Sequence, residues 1–226
     1  MRSLTSPARC PAAFPNRLWL AGLLAAGVLL DALLIWAAPA ERTLGQVVKL
    51  VFLHGALVRS CMLGFLAAGL LALAWLVCRH DALLHWLTAV QRATALVWLL
   101  YLFSSMIVTY LAWGELIAWG EPRVRSTIYV TVLLAAAVLA AEWSPAPVAR
   151  ALANLLLAAG ALYLLGSTGV IRHPLNPIGT SPSAAIRLSY AGIVLVTAIC
   201  HALVAGLLYH PPQAERAVGR GASCTS

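Results

Sequence analysis

An all-α membrane protein with six transmembrane helices is what this sequence predicts, and three observations carry the prediction. Of its 226 residues, 62% are hydrophobic and 10% charged, with a mean hydropathy of +0.89; a soluble domain is about 45–50% apolar and about 25% charged. Its apolar runs reach the roughly 20 residues that a helix needs to cross the hydrocarbon layer. They are continuous in Leu and Ala instead of alternating with period two, which selects helices over a closed barrel, the other structure a bilayer permits.

The first span is Leu18–Ala38. Three arginines precede it (Arg2, Arg9 and Arg17), as in the n-region of a signal peptide, and Ala-Ala-Pro-Ala at 37–40 resembles a cleavage site. The run is too long for an h-region and carries Asp31, so it reads as an uncleaved anchor. The second span, Val47–Val77, is longer than a bilayer requires, and its first turns, Val47 to His54, are expected to project into the outer interface. The third is Ala95–Trp113, the fourth Thr127–Trp143, the fifth Val148–Gly166 and the sixth Leu188–Tyr209. No internal repeat or second domain is visible, so residues 1–226 read as one transmembrane domain with short, mobile tails at 1–16 and 211–226.

Loop charge sets the expected orientation. With both termini cytoplasmic, the inner segments hold eight arginines, among them Arg79, Arg92 and Arg150. The outer ones hold six basic residues: Arg42, Lys49, Arg123, Arg125, Arg172 and Arg187. The bias predicts that the loops after spans one, three and five face the outer side of the membrane. The net charge of +8 reflects few acids, and no basic run is dense enough for nucleic acid. Cys10, Cys61, Cys78, Cys200 and Cys224 form no C-x-x-C pair, so a thioredoxin-like site, a zinc knuckle and a c-type haem attachment site are excluded.

Six spans starting inside bring three polar features to the outer face. His54 stands in "VFLHGALVRS", near the outer end of span two; the stretch "AWGELIAWGEPRVRS", Ala112–Ser126, joins spans three and four; His173 stands in "GVIRHPLNPIGTSPSAAIR", between spans five and six. Imidazole is the usual ligand of haem iron, two of them give a six-coordinate site, tryptophans offer flat apolar surface, and arginines pair with propionates.

These residues resemble a family. "VFLHGALVRS" is similar to the Leu-His motif in span two of the haem-handling, or WWD-domain, proteins of cytochrome c maturation. "AWGELIAWGEPRVRSTIYVTVLL" resembles their outer loop, in which W-G-x-x-W-x-W-D-x-R-L-T-S leads into the next helix. Order, spacing and topology match across roughly residues 15–210, and the haem-exporter members also have six spans in about this length.

The resemblance implies that the loop holds haem while two histidines ligate its iron. Trp113 and Trp119 would stack on the porphyrin, Glu121 stands where the family has Asp, Arg123 matches the family Arg, and Ser126 or Thr127 matches the hydroxyl at the helix start. Arg125 would assist with propionates; His54 matches the first histidine, and His173 is the candidate for the second. The loop keeps two tryptophans, and Gly120 intervenes before the acid.

The same residues admit plainer readings. Trp113 and Trp119 suit an interfacial belt, His54 a helix interface, Arg123 and Arg125 lipid phosphates, and Glu121 a helix N-terminus.

The expected function is non-enzymatic: haem b is bound transiently and without covalent attachment, then delivered. The implied partners are other maturation subunits, including an ATP-driven transporter, and a periplasmic haem chaperone. The chain has no Walker motif of its own. The alternative is a haem-free structural subunit of a membrane complex with the same fold. Separately, Asp31 and Arg59 stand at comparable depths in spans one and two, so a buried pair is expected between them, with Arg59 reaching out to the interface as the other possibility.

Overall fold

The structure, a computed structural model, describes residues 16–41, 45–144, 146–172 and 178–211. Most of both tails and His173 lie outside the described residues. Six helices follow in order: α1 (Arg17–Ala37), α2 (Val47–Cys78), α3 (Asp81–Trp113), α4 (Pro122–Trp143), α5 (Pro147–Ser167) and α6 (Ala184–Leu208). All six are long and apolar enough to cross a membrane. This is the architecture of a multi-pass helical membrane protein.

Local chemistry fixes the ends of these helices. The Asn16 side chain accepts from the Leu18 N–H at 3.0 Å to start α1, and Ser183 Oγ accepts from Ile186 N–H at 3.4 Å to start α6. Pro122 and Pro147 open α4 and α5, where a missing N–H costs nothing. Gly114 closes α3 with φ +74°, donating its N–H to the Tyr110 carbonyl at 2.8 Å. Glycine takes that left-handed conformation without steric cost.

The third span differs from expectation: the helix begins at Asp81, not Ala95. Hydropathy reports depth in hydrocarbon, whereas the helix continues below it through Asp81–Thr94. There Gln91 is buried by neighbouring helices, and Arg92 pairs with Glu142 of α4 at 2.5 Å.

In the bundle α2 is central, packing against α3, α5 and α6, while α4 packs on α5 and α1 on α6. The main core joins α2 to α5: Leu57, Cys61 and Phe65 meet Val97, Trp98 and Tyr101, with Val130, Leu134, Leu157 and Ala161 behind them. A second cluster, Val48, Phe52, Ala56 and Ile193, takes in Leu34 and Ile35 of α1. Lipid is as apolar as leucine, so close packing between small residues has to hold such helices together. Gly64 and Gly69 provide it: a Cβ on Gly64 would lie 2.7 Å from His201 Cε1, and one on Gly69 would lie 2.7 Å from the Ala158 Cβ.

The expected Asp31–Arg59 pair does not form. Asp31 is buried and its Oδ2 accepts from Thr197 Oγ1 of α6 at 2.8 Å, whereas the Arg59 Nε–H donates to the Tyr190 hydroxyl at 2.9 Å. The reason is helix placement. α1 runs along α6 and touches α2 only slightly, so adjacency in sequence did not become adjacency in space.

His201 is buried about two turns before the end of α6, with Nδ1 2.8 Å from Ser60 Oγ and Nε2 3.1 Å from Thr94 Oγ1.

A candidate binding site at the tryptophan-loop end

The ends of α1, α3 and α5 and the starts of α2, α4 and α6 share one end of the bundle, and those of the predicted site residues that the structure describes are at this end. His54 lies two turns into α2, half-buried, with its ring stacked on Tyr101 of α3 (centroids 4.9 Å apart, interplanar angle 26°). The Tyr101 hydroxyl lies 3.0 Å from Thr127 Oγ1, in the second turn of α4, and its ring is 4.7 Å from that of Trp98. His54 is thereby connected to the helix that the tryptophan loop introduces.

The loop itself, Gly114–Glu121, is organised by its acid. Glu121 is 1% exposed. Its carboxylate accepts from the Ile171 N–H at 3.1 and 3.3 Å and from the Arg172 N–H at 3.0 Å. Charge-assisted bonds to backbone are among the stronger hydrogen bonds a protein makes, and these tie the α3–α4 loop to the segment that follows α5. The Glu121 carbonyl also accepts from Val124 N–H at 3.1 Å, starting α4.

Arg172 closes the arrangement from the other side. Its Nη1 donates to Glu115 Oε1 at 3.0 Å, and its guanidinium carbon stands 5.5 Å from the centre of the Trp113 ring. Trp113 is half-buried under this cation, while Trp119 is 63% exposed. Arg123 turns into the bundle: Nη2 donates to the Leu165 carbonyl at 3.2 Å, and Nε is buried with no hydrogen-bond partner. Ser126 Oγ lies 2.7 Å from Thr168 Oγ1, a second tie between α4 and the end of α5. Arg125 is exposed.

The structure thus divides the predicted residues into two groups. Glu121, Arg123 and one face of the Trp113 ring are committed to protein contacts that set the shape of the loop. Trp119 and Arg125 are exposed, as are the apolar residues Leu116, Ile117 and Ile171 of the same loops. An imidazole, His54, an exposed indole, Trp119, and the guanidiniums of Arg125 and Arg172 stand at this end of the bundle. Among the described residues, no three His, Cys, Asp or Glu side chains gather into a metal site. His173 lies outside the described residues, next to the anchored Arg172.

Sequence reasoning did not assign Tyr101, Arg172 or Glu115 to the site. Tyr101 had one weak signal, a phenol within an otherwise aliphatic and aromatic run. Arg172 and Glu115 had none, because they meet across two loops distant in sequence.

No protein-family model matches this chain, and no curated protein matches it.

Proposed function

We propose that the chain binds haem as a cargo at the tryptophan-loop end of the bundle and passes it to a partner during cytochrome c maturation. The observation that supports this most is the double tie between loops. Glu121 holds the backbone at 171–172, and Arg172 caps Trp113, so the stretch leading directly to His173 is fixed against the loop that resembles the family's haem platform. Rigid placement of the flanking groups is what a transient binding site requires if little affinity is to be lost to ordering.

In this reading His54 and His173 supply axial nitrogens. Trp119 offers the open stacking face, with Trp113 as its braced neighbour. Arg125 and Arg172 stand where propionates can be met, and Glu121 and Arg123 act by holding the loop in shape. The loop end faces the periplasm or cell exterior, where a haem chaperone would receive the cargo. An ATP-driven transporter in the same cytoplasmic membrane would supply any energy, and the chain performs no bond-making chemistry.

The test is spectroscopic. The full chain, purified in detergent and supplied with haem, should give a six-coordinate, low-spin Soret band. His54→Ala and His173→Ala should each move the spectrum toward a five-coordinate, high-spin form, and added imidazole should restore it. Trp119→Ala should weaken haem retention without changing the spin state. If haem binds and neither histidine replacement alters the spectrum, the haem is adventitious and the proposal fails.

A second reading, a haem-free structural subunit of a membrane complex, is favoured by one observation. Glu121 and Arg123 already have protein acceptors and donors within the bundle, so the polar loop is accounted for as architecture alone. The absence of any Soret band after haem addition would select it.

A further inference from the structure

A second polar site lies at the opposite end of the bundle, away from the tryptophan loop. A cavity of about 150 Å³ opens there between the first turns of α3, the start of α5 and the end of α6. One water needs roughly 10–15 Å³ of such space, so the cavity has room for a polar group with several atoms. Arg92 and Arg150 line it together with His85, His210 and Thr88, and its apolar wall is Leu84, Ala89 and Leu208. His85, Thr88 and Arg92 recur at the three- and four-residue spacing that puts them on one face of α3.

Charge and hydrogen bonding both point to an anion. The only carboxylate bonded to these arginines among the described residues is Glu142, 2.5 Å from Arg92 Nη2. It bonds to Arg92 and lies within electrostatic reach of Arg150 without bonding to it. Arg150 Nε is buried with no hydrogen-bond partner. A buried donor without an acceptor is costly, and a guanidinium is the side chain whose donors best match the oxygens of a phosphate. His210 Nδ1 is 2.8 Å from the Leu208 carbonyl, which can only accept; this fixes the proton on Nδ1 and turns Nε2 to other partners.

The depth of the cavity identifies the source of the anion. Trp86 stacks on Tyr209 at 4.2 Å beside it, and Trp19 and Trp143, at the start of α1 and the end of α4, are 72% and 79% exposed. Tryptophan and tyrosine in this arrangement mark the level of lipid headgroups. A site at that level, cationic above and leucine-walled below, is amphipathic in the same sense as a phospholipid.

We infer that this cleft binds the headgroup phosphate of an anionic phospholipid, with Arg150 and Arg92 on the phosphate and the leucines along the first acyl carbons. The inference is independent of the haem proposal, because it concerns the other end of the bundle and none of the same residues.

The test uses the full chain, stripped of lipid in a neutral detergent, with dioleoyl phosphatidylglycerol as probe and native mass spectrometry as readout. One lipid should be retained per chain, and dioleoyl phosphatidylcholine should be retained much less. Arg150→Gln, which removes a charge-assisted contact, should weaken retention about tenfold, and Arg150→Lys should lose less. Arg92→Gln provides an independent variant should Arg150→Gln fail to fold. Equal retention of the two lipids, or retention unchanged in the folded variants, overturns the inference. Inorganic phosphate serves as the third arm: if millimolar phosphate displaces the lipid fully, the cleft is a site for soluble phosphate and the lipid assignment is wrong.

Discussion

Two carboxylates among the described residues are buried, and they are buried for different reasons. Glu121 is surrounded by donors that the backbone supplies, so its charge is useful to the fold. Glu121→Ala should therefore cost roughly 1.5–3 kcal/mol, the range for hydrogen bonds to a charged group, and Glu121→Gln, which keeps one acceptor, should cost less. Thermal unfolding in detergent measures both. Asp31 has one donor, Thr197, and its second oxygen is buried with no hydrogen-bond partner. An amide can keep the Thr197 bond while removing the charge from an apolar setting. Asp31→Asn should accordingly leave folded yield unchanged or raise it. Since Arg59 bonds to Tyr190 instead, Asp31→Asn and Arg59→Gln should be additive within about 0.5 kcal/mol in a double-mutant cycle. A larger coupling would mean that the two side chains do meet.

At the scale of helices, the tightest glycine contact falls on α2, at Gly64. A methyl group there would press on Thr94 and His201 together, a part of the interface already filled by the Ser60–His201–Thr94 bonds. Gly64→Ala should destabilise by about 1–3 kcal/mol, the usual cost of overpacking, whereas Gly22→Ala, with open space around it, should be nearly silent. A matched pair of detergent unfolding curves gives the comparison. Sequence made the helices legible because span length and apolarity are local properties: α1, α2, α4 and α5 end within a few residues of their expected bounds. The start of α3 was hidden, since Gln91 and Arg92 look like a loop until the chains that bury and pair them are known. The placement of α1 was hidden for the same reason, because nothing local in a leucine-rich helix says which neighbour it will choose. The His54 side of the candidate site was legible from residue type and order, but its stacking partner Tyr101 and the Glu121 tie depend on contacts between distant segments.

For the whole molecule, the alternation of six helices puts Glu115 and Asp81 at opposite ends. Single cysteines at these positions, after removal of the native five, should never both react with an impermeant thiol reagent in intact cells. Labelling at Glu115 alone would place the tryptophan loop outside, as the haem proposal needs; labelling at Asp81 alone would turn the candidate site toward the cytoplasm and remove its access to a periplasmic acceptor. The pairing of α1 with α6 bears on how the protein is made. A ribosome delivers helices in chain order, so the first of these six to enter the membrane is bound to wait for the last before it acquires its neighbour. Throughout that interval Asp31 has no Thr197 hydroxyl to accept a hydrogen bond from and faces lipid instead, where a carboxylate is expensive. A nascent chain stalled before α6 therefore displays an acidic mark in its first helix, and completion of the sixth erases it.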